Sequence, residues 1–391
     1  MATSEISLER NELLTEASQR AGGLTDFGTG SFVDGADRFI ASLENEAHLN
    51  EMGRLIARER ILGHAVSRLR YIEDRKNSSA ISQQRIVKPV FIVGLPRTGT
   101  TILHDILAQD PSSRAPMTWE IMFPSPPPAT STFETDPRID LCESLFPDID
   151  AQIPGFKAMH PMGARLTQEC VVMMGDTMCT PLFHNQFRVP SYQDWVDDQA
   201  DFREVYDFHQ KQLQHLQSGH EGDRWVLKTG AHMWGLEYLL ATYPDARIVF
   251  THRDPVESMT SYASLTSLVR SMGADQIDRV EVARDWTARL HKVVSRTLEL
   301  RASRSFPDAM FCDIHFSDFV SDQFAVVEKI YETFDIPMSQ EAANKMRTFI
   351  EDNPKGKHGT HAYTPEEYGV DPAAVRHTFA DYIERFQLAE A

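Results

Sequence analysis

The chain is poor in cysteine. Cys142, Cys170, Cys179 and Cys312 are the only four in 391 residues, and no two stand at a short paired spacing. That excludes both a zinc ribbon and a disulfide-stapled scaffold. No apolar run approaches the roughly 20 residues that cross a bilayer. The net charge of −18 leaves no long-range field to draw nucleic acid or an anionic membrane. The opening MATSEISLERNELL has no basic n-region and no apolar h-region. We therefore expect a reduced, cytoplasmic protein with no nucleic-acid partner and no membrane span. What remains is an ordinary globular composition, 41% hydrophobic and 25% charged. The length suits one large α/β domain with an appendage, or two domains.

The chain is organised around residues 90–107, VFIVGLPRTGTTILHDIL. Val90, Phe91, Ile92 and Val93 form a buried-strand run, which Gly94, Pro96 and Gly99 cannot continue. Thr100 and Thr101 open a helix with Ile102, Leu103, Ile106 and Leu107 on one face. Strand, glycine loop and helix N-terminus make an anion site, because free loop amides and the helix dipole point at the ligand. A nucleoside-triphosphate loop reads G-x-x-x-x-G-K-[ST]. Gly94 and Gly99 keep that spacing, but Thr100 stands at the lysine position and the cation is Arg97, inside the loop. Such a loop suits a shorter or differently charged phosphoryl group better than a magnesium triphosphate.

Residues 1–84 read as an N-terminal helical extension, packed on the core or on a second copy, which leaves a homo-oligomer open. From 85 to 391 strands alternate with helices. Apolar runs at 90–93, 224–227, 247–251 and 310–314 predict strands, and helices are expected at 138–145, 165–183, 201–217 and 233–243. This is an α/β pattern: a P-loop-type, mostly parallel sheet flanked by helices. Ligands in such sheets sit beyond the carboxyl ends of the strands. Those ends are the Gly94 loop, Lys228, Arg253 and His315, and three of the four bring a cation or an anion-binding loop. Met173, Met174 and Met178 read either as core filler or as an adaptable apolar pocket.

GLPRTGTT after a strand, VLKTG in the middle, and RIVFTHRDPVESMTSY further on resemble the sulfotransferases that use 3′-phosphoadenosine-5′-phosphosulfate (PAPS). The likeness is to the bacterial branch and to the tyrosylprotein sulfotransferases. It implies that Arg97, Thr98, Gly99, Thr100 and Thr101 wrap the 5′-phosphosulfate. It implies that Arg253 and Ser261 hold the 3′-phosphate; two helical turns apart, they can meet on one anion. The other use for Arg253 is a surface ion pair with Asp254 or Glu257. Lys228 matches a lysine placed at the transferring group, where with Arg97 it offsets charge on the bridging oxygen. Lys357 and His358, with Lys355, lie in the late run NPKGKHGTHAY, which resembles a basic loop closing over the nucleotide. Phe316 stands where the tyrosylprotein branch has a tyrosine.

The resemblance makes Glu120 the general base, with His160 and Glu169 as rivals. The implied reaction is metal-free, in-line sulfuryl transfer to a hydroxyl, dominated by positioning and electrostatics. Methionine and aromatic residues between 119 and 195 point to a small-molecule acceptor of apolar or phenolic type. A P-loop kinase of atypical loop, or a nucleotide-binding protein without catalysis, are the alternatives.

Overall fold

The computed structural model describes residues 6–146, 162–354 and 363–388. Its centre is a five-stranded parallel sheet in the order β2-β3-β1-β4-β5: β1 Val90–Gly94, β2 Ser113–Arg114, β3 Arg224–Lys228, β4 Arg247–His252 and β5 Phe311–His315. The register lays Ile92 beside Lys228, Gly94 beside Thr251 and His252 beside His315. All these strand ends therefore emerge along one edge.

The helices include α1 (Arg10–Arg20), α2 (Phe32–Glu46), α3 (Glu51–Asn77), α4 (Thr100–Leu107), α5 (Thr118–Met122), α6 (Cys170–Met174), α7 (Phe202–Gln217), α8 (Pro255–Arg270), α9 (Arg279–Ala302), α10 (Gln323–Thr333), α11 (Gln340–Asp352), α12 (Pro372–Thr378) and α13 (Ala380–Phe386). None of the described helices is long and apolar enough to cross a membrane.

Every residue of β1 is buried. Strand alternation divides its side chains between two apolar layers. Val90 and Ile92 join Leu103, Ile106 and Leu107 of α4, with Val327 and Ile330 of α10 and Met346 of α11. Phe91 and Val93 join the larger layer on the other face, built from α7, α9 and also Leu13, Phe39 and Leu62 of α1–α3. The N-terminal helices thus close one face of the sheet rather than hanging from it. Phe39 stacks on Phe183 at 4.2 Å, and His64 Nδ1 lies 2.8 Å from Asp176 Oδ1.

One local expectation is corrected. The helix foreseen over 165–183 is broken: α6 ends at Met174, Met178 takes a left-handed φ of 53°, and Pro181 starts a new short helix. Met173, Met174 and Met178 are fully buried in the large layer. They are core, not the wall of an open pocket. The edge strand β2 was not foreseen.

Candidate active site

Gly94 leaves β1 with φ 154°, and a Cβ there would sit 2.4 Å from Thr251 Oγ1. Gly99 has φ 82°, and its Cβ would press 3.2 Å against the Phe316 ring. Both positions accept only glycine. Between them Arg97 takes a left-handed φ of 67°, a conformation that costs a non-glycine residue on the order of 1 kcal/mol. Two contacts hold it there. Arg253 Nη1 donates to the Arg97 carbonyl at 2.8 Å, and Arg97 Nε donates to Ser261 Oγ at 3.1 Å. The buried Thr98 hydroxyl is used on Leu95 O within the loop and on Thr251 Oγ1 of β4. That leaves backbone amides, not the Thr98 side chain, to face an anion at the start of α4.

Arg253 lies at the end of β4, its guanidinium 4.2 Å from the Phe316 ring centroid. It does form the ion pair with Glu257, one turn along α8. Its Nε is nevertheless buried with no hydrogen-bond partner among the described residues. A half-buried guanidinium whose buried Nε is left over fits an incoming phosphate. Burial lowers the pKa of both Arg97 and Arg253, and Tyr363 acts on each in the opposite sense. Tyr363 is the last residue of the late run NPKGKHGTHAY and lies far along the chain from either arginine.

Lys228, at the end of β3, is almost wholly buried. Its Nζ donates to Thr101 Oγ1 at 3.1 Å and lies 2.5 Å from Glu169 Oε1. Its charge reaches His104 beneath it, whose pKa burial first, and then Lys228, push down to about 3. Glu169 is more open than Lys228 and also acts on Arg97 and Tyr262. The base expected at Glu120 meets a different arrangement. That carboxylate is completely buried, paired with Arg114 through both oxygens, and Oε2 also accepts the Met117 N–H at 2.9 Å to cap α5. Arg114 itself lies between the rings of Phe133 and Trp225. Glu120 is thus a fully buried, ion-paired carboxylate with both oxygens already engaged. His160, Lys355, Lys357 and His358 lie outside the described residues.

The site therefore gathers an anion loop, two guanidinium groups, a buried ammonium and an accessible carboxylate at one sheet edge. A sequence model of the sulfotransferase family matches residues 89–340, well over half the chain. The chain belongs to the sulfotransferase family. Among solved structures, this sulfotransferase is similar to STF9 from Mycobacterium avium, with a TM-score of 0.90, 25% identity and 99% of each chain covered. It is also similar to STF1 from Mycobacterium tuberculosis H37Rv, with a TM-score of 0.85 and 28% identity over 97% of this chain and 100% of that one. Its relatives include the omega-hydroxy-beta-dihydromenaquinone-9 sulfotransferase Stf3 of Mycobacterium bovis, 24% identical over 300 residues, 72% of this chain and 71% of that protein. The Mycobacterium tuberculosis protein of the same name matches equally. The sulfotransferase is thus an enzyme that transfers a sulfuryl group, in a family whose general donor is PAPS.

Proposed function

We propose that the sulfotransferase takes its sulfuryl group from PAPS and delivers it to the hydroxyl of an apolar small molecule, with Glu169 as the general base. The observation that carries this reading is the Lys228 ammonium, which touches both Thr101 at the anion loop and the Glu169 carboxylate. One side chain thereby joins the donor half of the site to the acceptor half.

PAPS brings an activated sulfuryl group, and its departure leaves negative charge on the bridging oxygen. Arg97 and the amides at the start of α4 hold the 5′ end and face that charge. Lys228 adds a second cation, so two side chains supply what a kinase draws from magnesium. Arg253 and Ser261 take the 3′-phosphate, with Phe316 fixing the guanidinium plane. Glu169 receives the acceptor's proton as the new S–O bond forms. When no acceptor is present, the ion pair with Lys228 holds this carboxylate in place.

The acceptor class is supported by Stf3, whose name gives a hydroxylated menaquinone derivative. The four cysteines are free and buried, in keeping with the cytoplasmic location we propose. The test is an acceptor screen with labelled PAPS across long-chain alcohols, phenols and charged glycans. We expect label in the first two groups, and transfer to the glycans alone would overturn the acceptor class. Calorimetry should show 3′-phosphoadenosine-5′-phosphate binding more tightly than AMP; equal affinities would overturn the donor.

A further inference from the structure

We infer that α12 and α13 form a brace that positions the 3′-phosphate clamp, with Tyr382 and Arg376 as the positioning residues. The inference rests on reading Arg253 as the ligand of that phosphate. The brace lies beyond residue 340, where the family match ends, and no motif marks it.

Three consecutive residues at the end of β4 are each held by this short C-terminal pair of helices. The Phe386 ring stacks on His252, centroids 3.6 Å apart and planes within 21°. The Tyr382 hydroxyl lies 3.2 Å from His252 Nδ1, and the backbone N–H of Arg253 directs its partial charge at the same phenolic oxygen. Arg376 Nη2 donates to Asp254 Oδ2 at 2.8 Å. The other oxygen of Asp254 accepts the Val256 N–H at 2.8 Å and so caps α8, the helix that carries Ser261. On the far side, His252 Nε2 sits 2.8 Å from Asp313 Oδ1, and Arg301 grips both oxygens of Asp313. Tyr382 is fully buried.

These contacts act on geometry, since neither Tyr382 nor Arg376 is placed against substrate. Arg253 stands at a strand-to-helix junction, where its backbone has no ladder partner beyond His252. Its guanidinium can wait in a fixed place only if that junction is fixed. The brace does this from behind, while Phe316 and the Arg97 carbonyl hold the side chain from in front. Losing the brace lets the clamp sample positions from which the phosphate is not met, and affinity falls through lost preorganisation.

The experiment compares the full chain with Tyr382→Phe and, as a milder change at a part-exposed site, Arg376→Gln. Each is titrated with 3′-phosphoadenosine-5′-phosphate and with AMP, and donor KM and kcat are measured. We expect Kd for the bisphosphate and donor KM to rise about three- to tenfold, the worth of one hydrogen bond. AMP affinity and kcat at saturating donor should stay within about twofold. Equal weakening of both nucleotides, or no change in either variant, would overturn the brace. Wild-type protein that binds the two nucleotides alike would instead overturn the donor reading, and the two failures are told apart by that control.

Discussion

Arg97 Nε donates to Ser261 Oγ across 3.1 Å, so the phosphate loop and the helix after β4 meet in a single hydrogen bond. The resemblance places the two residues at opposite ends of the nucleotide, and on that reading the contact joins the two half-sites directly. A charged donor held by a buried hydroxyl contributes roughly 1.5–3 kcal/mol. Ser261→Ala should therefore do more than weaken the 3′-phosphate site. It should also release Arg97 from its left-handed pose, lowering kcat and raising donor KM together, about ten- to a hundredfold in kcat/KM. Arg253→Ala should raise donor KM with kcat nearly intact. Steady-state kinetics of the two variants separate these patterns. A Ser261→Ala enzyme with wild-type kcat would show that the hydrogen bond has no part in orienting Arg97.

Much of this arrangement was legible because it is local. The strands β1, β3, β4 and β5 are apolar runs bounded by breakers, and Gly94 and Gly99 mark backbone angles and close approaches that other residues cannot take. What was not legible is what arrives from elsewhere in the chain. The edge strand β2 is only Ser113–Arg114 and pairs with Arg224 and Trp225, so it carries no alternation to read. Glu120 looked catalytic by its place after the loop helix. Spacing alone cannot say that Arg114, six residues earlier, turns back onto it. Glu169 gains its place from tertiary packing, which carries it to Lys228. The three methionines were compatible with a pocket until the fold buried them. The break at 1–84 followed a polar linker, yet the helices before it share one apolar layer with Phe91 and Val93.

Lys228 and Glu169 form an ion pair in which the lysine is the buried partner, at 3% side-chain exposure against 26%. Lys228→Met should lower kcat by about a hundred- to a thousandfold, as expected when one charge stabilising the transition state is removed. Glu169→Gln should also lower kcat. Because the two side chains touch, the double variant should fall well short of the product of the single effects. Single-turnover measurements with labelled donor give the comparison. Fully multiplicative losses would mean that the residues act independently and that Glu169 is not the partner through which Lys228 is oriented.

His64 of α3 is bonded to Asp176, whose other oxygen takes the Gln212 amide of α7 at 2.8 Å. Burial raises the Asp176 pKa, while His64 pulls it down. Arg68, also of α3, donates to the Asp176 carbonyl and to Phe27 and Thr29. His64→Ala leaves a buried carboxyl short of a donor, a loss of about 2–4 kcal/mol. If the N-terminal helices are one cooperative unit with the sheet, urea unfolding should shift as a single transition. Hydrogen exchange should then rise in α3 and in β1 together. Exposure of α1–α3 alone, with β1 still protected, would show that residues 1–84 unfold separately from the sheet.

His104 and His209 are both fully buried with no ion pair to a carboxylate among the described residues, and burial pushes each pKa down to about 3. His232 is lowered well below the usual value for the same reason. In the unfolded chain each takes its proton near pH 6.5. Between that pH and about 4 the unfolded state therefore binds more protons than the folded one, and stability must rise with pH across this window. Each such histidine contributes a slope of about 1.4 kcal/mol per pH unit, so three make the fold acid-labile. His209→Asn gives up the 2.8 Å contact with Tyr243 and should be less stable than wild type at pH 7. Its unfolding free energy should nevertheless fall less steeply from pH 6 to 4.5, by about one proton's worth. Urea titrations at several pH values measure that slope directly, and an unchanged slope would mean that His209 does not stay neutral in the folded chain.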